Sequence, residues 1–225
     1  MNENSGLSGP RFGPAAGGAP RQLVILLHGW GADGNDLIGL APALAPVLPN
    51  AEFISPDAPF PCEAGFGRQW FSLGDRSPEG GMSEPAMTAR MAAVAPMVES
   101  FIGEQLAARK LTPDRLALIG FSQGTMISLY VGLRLNPPPV GILGYSGHLV
   151  GARELAPTPG AKPEILLVHG EDDEILPVAA SRHAEATLKK LGYAVGAVYR
   201  PGLGHGIDEE GLRQGARFLR RVLAP

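Results

Sequence analysis

The pentapeptide Gly120-Phe121-Ser122-Gln123-Gly124 follows directly on an apolar run, Leu116 to Ile119, and opens a stretch with helical spacing. A serine flanked in this way at a strand-to-helix junction is the sequence setting of a nucleophile elbow. The turn must be so sharp that the serine backbone is strained, and side chains at the two glycine positions would collide with the adjoining strand and helix. In return the hydroxyl stands clear of the sheet at a helix N-terminus, where backbone amides and the helix dipole favour negative charge. A serine bounded by glycine is also a good helix N-cap. The strand immediately before it favours the nucleophile over the plain cap.

A serine hydroxyl is a weak nucleophile by itself, so it needs a base, and the base needs a partner that orients it. The histidines downstream of Ser122 are His148, His169, His183 and His205. His205 sits in Pro201-Gly202-Leu203-Gly204-His205-Gly206, between the last apolar run and the last helical one. Such a loop can carry an imidazole over the serine, and His205 is the expected base. His183 falls within a helical pattern and reads as a packing or surface residue. His169 ends a strand, where a satisfied core histidine is the usual finding. His148, in Ser146-Gly147-His148, is the second choice, although it precedes every candidate acid further along. In a fold of this kind the chain order is nucleophile, acid, histidine. That order points to the loop His169-Gly170-Glu171-Asp172-Asp173-Glu174-Ile175-Leu176-Pro177. Its run of four acids also suits a solvated face at the start of the next helix, which accounts for three of the four. Spacing alone does not separate Asp172 from Asp173.

Acyl transfer further requires donors for an oxyanion. The backbone N–H of Gln123, next to the nucleophile, is one. The N–H of Trp30 is the other, in His28-Gly29-Trp30-Gly31, where glycines on both sides permit close backbone approach. The same four residues also read as a plain strand-ending turn. Phe66, Trp70 and Phe71, with Met82 nearby, form a candidate apolar acyl groove. An equally good reading packs them as a loop against the core.

The elements that must position these residues have a clear rhythm. Leu23 to Leu27, Ala51 to Ser55, Leu116 to Ile119, Val140 to Gly144, Glu164 to Val168 and Val195 to Tyr199 read as strands. Glu84 to Lys110, Gln123 to Leu135, Val178 to Leu191 and Asp208 to Leu223 read as helices. The first of these is amphipathic, with Met87, Met91, Val94, Val98, Ile102 and Leu106 at three- and four-residue spacing. Its Pro85 suits a first turn, and its Pro96 predicts a kink. Near-continuous apolar strands alternating with helices predict an α/β fold, a mostly parallel sheet covered on both faces. Ligands of such sheets bind at the carboxyl ends of the strands, and Ser122 with three of the five histidines falls just after a strand. Residues 1–20, with five glycines and three prolines, are expected as a flexible leader, and 21–225 as a single domain.

Composition narrows the partners. With 44% apolar and 18% charged residues the balance is globular. A net charge of -3 with no basic stripe argues against nucleic acid as a partner. The one cysteine, Cys62, precludes an intramolecular disulfide and gives no sign of an oxidising compartment. The N-terminus does not read as a signal peptide, and Leu23 to Leu27 is far too short for a membrane span. A cytoplasmic protein without stable membrane insertion is expected.

With these residues in hand, the sequence resembles the phospholipase/carboxylesterase family of α/β-hydrolases, which includes the acyl-protein thioesterases. The matching pieces, in order, are Leu26-Leu27-His28-Gly29-Trp30-Gly31, Arg68-Gln69-Trp70-Phe71, Gly120 to Gly124, His169 to Pro177, and Gly204-His205, spanning roughly residues 23–222. The resemblance implies a Ser–Asp–His triad that hydrolyses carboxylic esters or thioesters with neither metal nor organic cofactor. It implies Asp173 as the acid, since the family's pattern places that aspartate four residues before the proline. It carries the oxyanion donors over to Trp30 and Gln123, and the acyl-pocket loop to the stretch around Trp70 and Phe71. It also admits a homodimer. Family members often carry Leu at the place of Trp30, Gly at that of Thr125 and Asp at that of Ser72. The first and third of these differences bear on acyl length.

The expected mechanism is two-step acyl transfer, with His205 deprotonating Ser122, Asp173 holding the imidazole, and water releasing the acid. The base must start neutral, so the rate is expected to fall in acid. The alternatives are a thioesterase or lysophospholipase acting on longer acyl chains, a peptidase or acyltransferase with the same triad, and a binding module of this fold that has lost turnover.

Overall fold

The computed structural model describes residues 5–74, 83–155 and 160–224. Met82, placed near the acyl groove above, lies outside the described residues. Among the described residues there are nine strands: β1 (Arg11–Phe12), β2 (Gln22–Leu27), β3 (Ala51–Ile54), β4 (Phe60–Pro61), β5 (Arg68–Gln69), β6 (Leu116–Phe121), β7 (Gly141–Tyr145), β8 (Glu164–Gly170) and β9 (Val195–Arg200). The helices are α1 (Gly34–Ile38), α2 (Ala41–Leu44), α3 (Glu84–Arg109), α4 (Gln123–Gly132), α5 (Ala179–Lys190) and α6 (Glu209–Val222).

Seven strands form one sheet in the order β1-β3-β2-β6-β7-β8-β9. All neighbours pair in parallel except β1, which runs antiparallel to β3. The strands at the centre are apolar almost throughout because both faces are covered. Leu23, Ile25, Leu27, Leu116 and Leu118 face α3 and α4, where Met91, Val94, Val98 and Ile102 meet them. Val24, Leu26, Ala117 and Ile119 point the other way, toward Leu37, Leu44, Phe218 and Leu219 of α1, α2 and α6. Each large apolar side chain so buried stabilises the fold by about 1.5–3 kcal/mol.

The expected strands and long helices are present, with ends shifted by one to three residues. Pro85 lies in the first turn of α3, and the helix continues unbroken past Pro96. Residues 5–20 differ from the leader expected. Arg11 and Phe12 pair with Ile54 and Phe53, and the Ser5 amide and hydroxyl donate to Glu104 at 2.7 and 2.8 Å. The segment has too few apolar residues to show a strand period. Its order comes from an open sheet edge and an acceptor on α3, both far away in sequence. A second small sheet, β4 with β5, was likewise absent from the sequence reading.

Candidate active site

Of the parallel strands, β2, β6, β7, β8 and β9 end at one rim of the sheet, where Phe121 at the end of β6 pairs with Tyr145 at the end of β7. Ser122 follows β6 and caps α4 with φ +53° and ψ −116°, a conformation that a non-glycine residue adopts only under strain. Its amide donates to Tyr145 O at 2.9 Å, and its carbonyl accepts from Thr125 and Met126 at 3.0 and 3.2 Å. The flanking glycines are required by close approach. A Cβ at Gly124 would overlap the Leu27 carbonyl, and one at Gly120 would overlap the backbone of Gly124 and Thr125.

Asp173 and His205 come from separate loops that are tied backbone to backbone. The Asp172 amide donates to Leu203 O at 3.0 Å and that of Glu171 to Arg200 O at 2.9 Å. Asp173 is 6% exposed, whereas Asp172 points to solvent. The contact between His205 Nδ1 and Asp173 Oδ2 is 2.7 Å. Asp173 Oδ1 accepts the amides of Ile175 and Leu176 at 2.9 and 2.8 Å. Burial pushes this carboxyl upward, but the Leu176 amide, the His205 hydrogen bond and charge, and the Ile175 amide outweigh it and leave the group below the usual aspartate range. The structure thus separates two acids that spacing left equivalent. The His205 ring packs on Phe121, centroids 5.0 Å apart, which brings it beside the elbow. The Ser122 hydroxyl and the imidazole close no hydrogen bond here. Such bonds often tighten only when substrate is bound.

Gln123 and the loop that carries Trp30 both adjoin Ser122. Gln123 is the first residue of α4, so its amide has no acceptor within the helix. Gly29, next to Trp30, lies so close that a Cβ added there would come within 3.5 Å of Ser122 Cβ. His28 fixes this loop from below. Its Nδ1 is 2.7 Å from Gly29 O, and its Nε2 accepts the Ala58 amide at 3.0 Å. Burial holds the imidazole below its ordinary value, against the pull of the Gly29 carbonyl and of Asp57, Asp33 and Asp36.

The apolar loop divides in two. Trp70 and Phe71, expected to line an acyl pocket, are 0% and 3% exposed and belong to the core. Trp70 Nε1 donates to His28 O at 2.9 Å, so the ring braces the oxyanion loop. Phe66 is 66% exposed and leans over Gly31. The sequence reading missed the side chain of Gln123. Its Oε1 accepts the Trp70 amide and its Nε2 donates to Phe71 O, both at 2.8 Å. A polar residue at an otherwise apolar helix start was the available signal. Ser72 donates to Glu63 at 2.7 Å and so closes the same loop. Thr125 fits because Gly144 and Gly147 lie against its methyl, and its hydroxyl donates to Tyr145 O at 2.7 Å.

A parallel sheet with a strained serine between β6 and α4, at the rim where the loops of β2, β8 and β9 converge, defines the class as α/β-hydrolase. A family profile described as Phospholipase/Carboxylesterase matches residues 15–223. Acyl-protein thioesterase 1 of Gibberella zeae is 37% identical over 120 residues, a match that spans 51% of this chain and 51% of that protein. Esterase YpfH of Escherichia coli is 27% identical over 204 residues, 90% of this chain and 84% of its own. The crystal structure of esterase PE8 superimposes with a TM-score of 0.88 at 38% identity, covering 96% of this chain and 99% of that one. The chain belongs to the phospholipase/carboxylesterase family and, by class, is a carboxylic ester hydrolase.

Proposed function

We propose that this chain hydrolyses carboxylic esters through an acyl-enzyme on Ser122, with His205 as base, Asp173 as its orienting acid, and the Trp30 and Gln123 amides as oxyanion donors. The observation that carries the reading is the 2.7 Å bond from the His205 ring to a buried Asp173 beside the strained elbow. His205 takes the hydroxyl proton as Ser122 Oγ attacks the carbonyl carbon, and the carbonyl oxygen gains charge against the two amides. The proton then passes to the departing alcohol. Water, deprotonated by the same ring, attacks the acyl-serine and frees the acid. This chemistry needs neither metal nor organic cofactor.

A fluorophosphonate probe should add its mass at Ser122, and Ser122→Ala should lose both the label and several orders of magnitude of p-nitrophenyl ester hydrolysis at unchanged thermal stability. Turnover that survives in the variant would overturn the nucleophile. The similarity to an acyl-protein thioesterase supports a second reading, with longer chains or thioesters as substrates. Hydrolysis of oxygen and sulfur esters of graded chain length decides between the two. The same proposal takes the chain as one domain that includes the segment from Ser5 onward, in the cytoplasm, with a homodimer open to test by light scattering. Among the described residues no helix is long and apolar enough to cross a membrane.

A further inference from the structure

Asp173 is approached by two imidazoles, of which the mechanism above uses one. Its Oδ2, which meets His205, also lies 3.0 Å from Nε2 of His169, and the side chains of Asp173 and His169 are both 0% exposed. His169 is the penultimate residue of β8. Its Nε2 faces only acceptors, this carboxylate and the Leu176 carbonyl at 2.8 Å, so that nitrogen carries a hydrogen. At the other end of the ring Nδ1 lies 2.6 Å from Ser181 Oγ on α5, and that oxygen is 2.8 Å from Gly147 O. Gly147 in turn packs on Thr125 and the Ser122 carbonyl. Polar contacts therefore run from Gly147, which packs against the elbow, through Ser181 of α5 to His169.

We propose that His169 is a positioning residue for the catalytic acid: its Nε2–H holds the carbonyl of Leu176, whose amide bonds Asp173 Oδ1, and its ring edge lies against the oxygen that faces His205. This rests on the triad reading above. The physical case has two parts. A carboxylate's terminal torsion is broad and two-fold, so bonds on both oxygens are needed to hold one orientation. Here Oδ1 has two amides, and Oδ2 has the His205 bond with the His169 ring edge against it. The polarised N–H edge of His169, 3.0 Å from Oδ2, also tempers its pull on His205, so losing it leaves a protonated His205 better stabilised.

The other charged and titratable groups packed around the cluster have partners of their own. Glu171 pairs with Arg182 at 2.7 Å, Tyr199 with Glu185 at 2.7 Å and Arg200 with Asp208 at 2.9 Å. Asp172 and Glu174 on the acid loop are exposed, and His183 on α5 meets Thr187 at 3.5 Å. His148, on the loop after β7, is kept below its ordinary value by burial.

The test is the pH profile of kcat/KM for p-nitrophenyl acetate in wild type, His169→Leu and His169→Gln. His169→Leu keeps the bulk but removes the donor. It is expected to lower kcat/KM on the order of 10- to 100-fold and to move the acid limb to higher pH by roughly half a unit or more. His169→Gln can present an N–H at the same place and should return the limb to its wild-type position. An unmoved limb in His169→Leu overturns the proposal even if stability falls, and so does a Gln variant that behaves like Leu. Should the Leu variant not fold, Ser181→Ala frees the far end of the ring and must shift the limb the same way by a smaller amount. An unmoved limb there is equally decisive. A wild type without Ser122-dependent hydrolysis would defeat the triad reading and the positioning role together, whereas an active wild type with unmoved limbs defeats only the latter.

Discussion

Ser122 and Asp173 illustrate how little of a residue's role lies in its type. Ser122 owes its candidacy to a backbone held at φ +53° between a strand and a helix. Asp173 differs from Asp172 in being buried and bonded to His205, although the two are chemically identical neighbours. Asp173→Asn should therefore cost about 10⁴-fold in kcat, because an amide in that place favours the wrong imidazole tautomer. Asp172→Asn, which changes only a solvent-facing group, should leave kcat within about threefold. Steady-state kinetics on both variants check this, and the reverse ranking would move the acid by one residue.

Among the elements, the loop from β5 toward α3 is joined to the elbow by the Gln123 side chain. The Gln123 amide group bonds the main chain of both Trp70 and Phe71, while Trp70 bonds His28 O below the oxyanion loop. Gln123→Ala leaves two buried backbone groups without partners, at a cost of about 1–3 kcal/mol for each group so exposed to desolvation. The denaturant midpoint should fall with an unchanged m-value. Because Trp70 braces the loop that carries the Trp30 amide, kcat should fall as well. A loss of stability with kcat intact would confine the staple to a structural role.

For the whole molecule, acid should act in two stages. His28 and His148 are held below the ordinary imidazole value, chiefly by burial. In the window below about pH 6.5 the unfolded chain binds protons that the native state refuses, so stability declines there as pH falls. Protonation at His28 Nε2 would also cost the Ala58 amide its acceptor. Asp173 and Asp208 are held low despite burial, Asp208 through the Gly211 amide at the start of α6 and the Arg200 guanidinium. Their contribution is complete above about pH 3.9 and is lost as pH falls through their lowered native values. Urea titrations at a series of pH values should show both declines, and His28→Gln should remove part of the first while leaving the second.

The alternation of apolar strands and helical faces was legible before any coordinates, because a sheet covered on both sides demands continuous apolar runs such as Leu23 to Leu27. So was the elbow, since glycine at 120 answers a steric requirement of the turn itself. These are local constraints, and a sequence records them directly. The choice of Asp173 over Asp172, the burial of Trp70, the second imidazole at the acid and the docking of residues 5–20 are of another kind. Each depends on which atoms of distant segments come within hydrogen-bond distance, and residue types one or two positions apart carry no record of it. Sequence determined the class of chemistry and the rim where it occurs; tertiary packing decided which side chains are held in place to carry it out.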